Sequence, residues 1–204
     1  MIAFLFDQYK DYPAYLIALE FIAVVFGVIS VLFAKKNNIL VYPTGLVSTI
    51  LFVYILYKFQ LYGDLIINIY YSIMSFLGWY LWSKTKGGHE EFPISTISRK
   101  EFVISSLIFL ITLTFVALIY YFFDKFTHWT AYVDALTTGL FFVGMWLMAK
   151  RKIENWIFWI IADIISIPLY FYKGLTFSSF QFILFTFIAI LGYREWKKYL
   201  QKTI

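Results

Sequence analysis

The sequence predicts an all-α polytopic membrane protein with seven transmembrane helices, and three observations predict it. Hydrophobic residues fill 62% of the 204 positions and charged residues only 14%, whereas a soluble domain carries about 25% charged residues. Apolar runs close to the ~20 residues that cross a hydrocarbon layer as a helix recur seven times. The Lys and Arg residues fall between these runs, not inside them. A soluble enzyme, a disordered tail and a nucleic-acid module are thereby set aside, although a net charge of +5 in a soluble chain would point toward nucleic acid. The absence of Cys excludes disulfides, thiolate catalysis and Cys-based metal sites, and two His cannot build a zinc site without carboxylates. No metal and no cofactor is expected.

The runs read 15–34, 39–57, 62–82, 102–123, 131–149, 155–172 and 175–193. Backbone amides in hydrocarbon must be satisfied within the segment, so these runs are helices, and they are too long and continuous for barrel strands. The first run follows Asp7 and Asp11 and meets no small-x-small cleavage site before Lys35, so it reads as a span and not a signal peptide. The second opens with Pro43 and carries Gly45, Ser48 and Thr49, whose hydroxyls either bond their own helix or face a ligand. In the third, Asp64, Asn68, Tyr71, Ser75 and Trp82 fall within roughly 40° of one line down the helix. Asn68 has two donors and an acceptor that a ligand or another helix must use. The stretch 83–100 reads as a linker. The fourth run is polar only at Ser105, Ser106, Thr112 and Thr114 and reads as a connector.

The fifth run opens with Asp134, Thr137 and Thr138. The sixth carries Trp156, Trp159, Asp163, Ser166 and Tyr170 at steps of three or four, on one face about 80° wide. A mid-span carboxylate is expensive in hydrocarbon and faces the protein interior or a cavity. Asp163 either ties helices together or forms, with Trp159, an aromatic site bearing one acidic group. Pro168 marks a kink in the same helix.

Two patterns organise the whole chain. Lys10, Lys58, Lys125 and Lys173 fall on one side of the membrane and the other Lys and Arg residues on the opposite side, so the positive-inside rule puts the N-terminus outside and the C-terminus in the cytoplasm. An offset of 114 residues lays Gly78, Tyr42 and Trp82 on Gly192, Trp156 and Trp196, and Glu20 on Asp134 near the outer mouth. This offset predicts a first three-helix repeat over 1–86, a linker and connector helix over 87–128, and a second repeat over 129–204. The two repeats would be parallel in a 3+1+3 plan, with a solute path between them. Acidic groups near that path, beside Trp and Tyr faces, suit a flat cationic or neutral-polar solute through cation-π attraction. A transporter fits this pattern better than a membrane enzyme, because His89 and His128 fall on opposite sides and no nucleophile and base converge.

The segments FQLYGD (59–64), NIYYSIMSFLGWYLW (68–82), DALTT (134–138), KIENWIFWIIADIIS (152–166) and GYREWKK (192–198) resemble the PnuC family of bacterial vitamin transporters. The resemblance implies a fold like that of the SWEET sugar transporters, homotrimers in the inner membrane, and facilitated diffusion of nicotinamide riboside trapped by a separate cytoplasmic kinase. It implies a site using Asn68, Trp156 and Trp159, with Asn155 and Glu154 at its cytoplasmic end; Tyr71 and Thr138 join it from their helical stripes. Ser48, Trp146 and Asp163 look similar to the thiamine-transporting PnuT branch, which leaves thiamine as the alternative solute. Uniport by rocking repeats is expected, with proton coupling through Asp163 as its rival.

Overall fold

The computed structural model describes residues 13–58, 62–86, 89–90, 92–122, 129–172 and 176–202. Asp7, Lys10, Asp11, Lys125, His128 and Lys173 lie outside the described residues, as do the side chains of Asp64, Lys86, His89 and Lys202. Seven long helices form: α1 (Ala14–Lys35), α2 (Val41–Lys58), α3 (Tyr62–Ser83), α4 (Arg99–Phe122), α5 (Thr130–Ala149), α6 (Asn155–Tyr172) and α7 (Thr176–Lys202). Between α3 and α4 lies a short antiparallel ribbon, β1 (Thr85–Lys86) and β2 (His89–Glu90), with Thr85 opposite Glu90 and Lys86 opposite His89.

The burial pattern is that of a protein whose solvent is lipid. On α4, Phe102, Leu107, Leu110, Ile111 and Leu118 point outward while Ser105 and Thr112 are buried. Ser30, Ser48 and Ser75 in the first three helices are buried in the same way. Apolar side chains gain nothing by leaving lipid for protein, so small residues and hydrogen-bonding groups occupy the helix contacts. The Ser30 hydroxyl, for example, donates to the carbonyl of Val41 at 2.7 Å, tying α1 to the start of α2.

Two compact units make up the chain. Met1–Glu91 holds α1 to α3 and the ribbon, with α2 packed on both neighbours; Phe92–Ile204 holds α4 to α7, packed in sequence order. The expected 3+1+3 plan of seven crossings is corrected on one point. Among the described residues, six helices, α1 to α6, are long and apolar enough to cross a membrane. The last, α7, is the longest at 27 residues, and its final turns carry Arg194, Glu195, Lys197 and Lys198. The helix expected to be a connector, α4, packs against α5 in the second unit, where a Cβ on Gly139 would come within 2.8 Å of the Phe109 ring. An apolar helix with few polar groups can still be a packed one, since a glycine notch and a ring suffice.

Local geometry recurs at the 114-residue offset inside each unit. After α1, Asn37 at φ 52° donates its N–H to Ala34 O at 3.0 Å, and Asn38 to Phe33 O at 3.0 Å. After α5, Arg151 at φ 52° donates to Met148 O at 2.9 Å, and Lys152 to Leu147 O at 2.9 Å. Both are Schellman ends, which need a left-handed residue just past the helix. Asn tolerates that conformation, but Arg seldom adopts it. Arg151 is held there by its Nη1, which donates to Phe92 O at 3.0 Å. Likewise, Tyr42 meets Trp82 edge to face at 5.0 Å and Trp156 meets Trp196 at 5.6 Å, each pair over a glycine, Gly78 and Gly192.

Candidate functional site

The site helix α6 is fixed at its first turn by the segment before α4. Ser95 N–H donates to Arg151 O at 3.1 Å, and Ile153 N–H to Ser95 O at 3.0 Å. The Ile97 N–H donates to Glu154 Oε1 at 3.0 Å, and Lys152 Nζ pairs with Glu101 at 3.0 Å. Asn155 is fully buried; its Nδ2 donates to Lys152 O at 2.6 Å, and its Oδ1 has no partner among the described residues. These contacts set the starting angle of the helix and therefore the direction of every residue on its stripe.

Down that stripe, Trp156 is 2% exposed and lies edge-on to Trp196 above Gly192, so both faces of its ring are enclosed. Trp159, nearly one turn on, is half-buried. Its ring lies 5.4 Å from Phe141 of α5, which stacks on Phe182 of α7 at 6.1 Å; Phe182 in turn meets Tyr170 of α6 at 4.9 Å. Asp163 follows Trp159 by four residues and is 2% exposed; Ser166 follows by three more and is fully buried, its hydroxyl without a partner among the described residues. No hydrogen bond or ion pair reaches the Asp163 carboxylate among the described residues. Residues 155–172 contain no Lys or Arg, and Lys152 precedes Asp163 by about 16 Å of helix. A buried carboxylate with no cation on its own helix is met either by a counter-charge from a ligand or by a proton.

Pro168 lies within a helix that continues through it. The ring removes the N–H that would have bonded the carbonyl of Ile164. Nearby, the Ser179 hydroxyl donates to Ile167 O at 2.9 Å, tying α7 to α6 beside the proline.

The remaining sequence-derived residues divide between the units. In the first, Ser48 is buried where a Cβ on Gly27 would meet its Oγ at 3.1 Å. Asn68 and Tyr71 are half-buried, and Tyr71 contacts Tyr70 at 5.9 Å. Ser72, which the helical stripe omitted, donates to Asn68 O at 2.9 Å and shares a hydrogen bond with Thr49 Oγ1 at 2.8 Å. In the second, the Thr138 hydroxyl is spent on Asp134 O at 2.8 Å, and Trp146 is half-buried. Glu20 and Asp134 are half-buried and each interacts with a neighbour. Among the described residues no three His, Asp or Glu side chains converge as metal ligands. Phe141 and Phe182 are the aromatic neighbours that sequence reasoning missed. Ser72 was readable, being one turn from Asn68.

A family model described as nicotinamide mononucleotide transporter matches residues 17–198. The chain is similar to the nicotinamide riboside transporter PnuC of Escherichia coli K12, 24% identical over 205 residues, covering 87% of this chain and 84% of the relative. PnuC of Neisseria mucosa is 25% identical, with 89% and 72% covered. The riboflavin/roseoflavin transporter RibM of Streptomyces davaonensis is 25% identical over 123 residues, with 58% and 56% covered. The crystal structure of the vitamin B3 transporter PnuC has the same fold, with a TM-score of 0.67 at 22% identity over 98% of this chain and 90% of that one. This likeness overturns the SWEET-like expectation: the fold class is that of the PnuC structure, with seven helices, of which six among the described residues are long and apolar enough to cross a membrane.

Proposed function

Because this chain belongs to the nicotinamide mononucleotide transporter family, we propose that it takes up nicotinamide riboside across a bacterial inner membrane by facilitated diffusion. The observation that carries this reading is the 2%-exposed Asp163 one turn from Trp159 on the same helical stripe, Trp159 itself being in a chain of rings with Phe141, Phe182 and Tyr170. A flat monocation supplies the charge that this carboxylate lacks, and the aromatic faces attract it by up to about 2 kcal/mol each when desolvated. A phosphate would be repelled by the same carboxylate. The riboside therefore suits the site better than the mononucleotide in the family's description.

Ser166 adds a buried hydroxyl for a ribose or an amide. In this reading Thr138, Trp146, Asn155 and Trp156 contact the solute or hold the Asp163 stripe within the second unit, and Ser48, Asn68 and Tyr71 are proposed as solute contacts within the first. Glu20 and Asp134, each near the outer end of its own helix, draw cations. A uniporter only equilibrates its solute, so net uptake needs a cytoplasmic reaction that alters the vitamin, and a separate kinase provides it.

Counterflow in proteoliposomes tests both parts of the proposal. Labelled nicotinamide riboside should exchange into vesicles preloaded with unlabelled riboside, and should continue to do so when ionophores collapse the membrane potential and pH gradient. Exchange that stops under collapse would replace uniport by ion coupling. Exchange of thiamine without riboside would overturn the solute assignment.

A further inference from the structure

The helices α6 and α7 run antiparallel, and a contact near each end fixes their register. At one end the Ser179 hydroxyl donates to Ile167 O at 2.9 Å. At the other, Gly192 backs the Trp156 indole, and a Cβ there would come within 2.6 Å of the ring. Eleven residues along α6 thus answer to thirteen along α7. Asp163, four residues before Ile167, falls level with the stretch around Leu184. Ile183 and Leu184 themselves point outward, at 45% and 46% exposure. The half-buried side chains nearest that level are Phe182, Phe185 and Thr186, and Thr186 is the polar one among them.

The first unit shows what such a pair does. The 114-residue offset that lays Trp156 and Gly192 on Tyr42 and Gly78 also lays Asp163 and Thr186 on Thr49 and Ser72. Those two hydroxyls meet at 2.8 Å between α2 and α3. Ser72 spends its single hydrogen on Asn68 O at 2.9 Å, and Thr49, whose contact with Leu46 O is longer at 3.4 Å, supplies the hydrogen between them. Thr186 repeats the Ser72 arrangement, donating four residues back to Phe182 O at 2.8 Å. Its counterpart on α6, however, is a carboxylate. An ionised Asp163 has no hydrogen to give, and no hydrogen bond reaches it among the described residues. Where Thr49 supplies a donor in the first unit, the second sets two acceptors against each other.

We propose that Thr186 is a further solute-binding residue, its hydroxyl oxygen and the Asp163 carboxylate forming two acceptors that an N–H or O–H of the bound cation bridges. The inference rests on the transport reading for its ligand, but not for the facing of the two residues. Two acceptors cannot satisfy each other, and a buried acceptor left alone is costly. A cation that also carries a donor meets both needs: its charge suits the carboxylate and its hydrogen reaches the hydroxyl oxygen. An anionic or acceptor-only group in the same place is repelled by both.

The test has one arm for placement and one for binding. The chain has no Cys, so paired cysteines meet no background, and a disulfide forms only where the two Cα atoms come within about 7 Å. Purified D163C/T186C treated with copper phenanthroline should lose both alkylatable thiols in its intact mass, as T49C/S72C does, while D163C/I183C should keep them. In calorimetry with nicotinamide riboside, T186V keeps the side-chain shape but removes the oxygen and should weaken binding about fivefold, the size of one lost hydrogen bond. T186S keeps the oxygen and should bind within about twofold of wild type. Cross-linking of D163C/I183C in preference to D163C/T186C overturns the proposal, and so does a T186V that binds as tightly as wild type and differs only in unfolding temperature. If T186V yields no monodisperse protein, T186A replaces it: a loss in T186A but not in T186S supports the proposal, and equal affinities overturn it. Wild type that binds no riboside would refute the transport reading, while the cross-link would still decide whether Thr186 faces Asp163.

Discussion

At the scale of single residues, the proposed site turns on Asp163, a carboxylate 2% exposed with no cation on its own helix. Asp163→Asn keeps the shape and part of the hydrogen bonding but removes the charge. Binding of a cationic vitamin should weaken by about 1–3 kcal/mol in protein that remains monodisperse, as measured by calorimetry. Ser106→Ala on α4 should leave affinity unchanged, since that hydroxyl only donates to Phe102 O at 3.0 Å on its own helix. Unchanged affinity in well-folded D163N would remove Asp163 from the site. The sequence could reveal Asp163 and Ser166 because a polar residue within an apolar run stands out, and steps of three and four place it on a face. Phe141 and Phe182 could not be singled out in the same way. In a chain that is 24% aromatic, a Phe facing the site and a Phe facing lipid look alike until helices are packed.

At the scale of helices, adhesion comes from rings seated on glycines. A Cβ on Gly192 would come within 2.6 Å of the Trp156 indole, and one on Gly78 would run into the Tyr42 ring. Gly192→Ala should therefore cost about 1–3 kcal/mol through overpacking, seen as a lower unfolding temperature in detergent. An unaltered temperature would mean that Trp156 moves aside freely. The GWYLW and GYREW segments revealed this relation in the sequence as a spacing, with nothing to say that each glycine opposes a ring 36 residues earlier in the chain. The same limit hid the contact face of α4, which the sequence marks only as a connector with few polar side chains. Phe109 against Gly139 makes it part of the second unit, and an apolar ring leaves no distinguishing mark in an apolar sequence.

At the scale of the molecule, we propose that charge placement orients the chain with its N-terminus outside. Thirteen of the 17 Lys and Arg residues then fall on the cytoplasmic side if α7 crosses together with α1 to α6, and nine if it does not. With the N-terminus outside, the thirteen-residue count expects a reporter fused after Ile204 to be active only in the cytoplasm, whereas an active external reporter would mean that α7 does not cross. The outward surface is also large: Phe21, Phe102, Phe122 and Phe187 are each more than 60% exposed to whatever surrounds the helices. In a bilayer these rings meet lipid whether the helices are packed or apart. Separating the helices there brings little new apolar surface into contact with water. The heat-capacity increment that accompanies unfolding of a water-soluble domain, roughly 12–15 cal/mol/K per residue, shrinks to the share contributed by loops and helix ends. The stability of this fold within its membrane consequently varies with temperature along a nearly straight line, without the dome that makes soluble domains loosen in the cold.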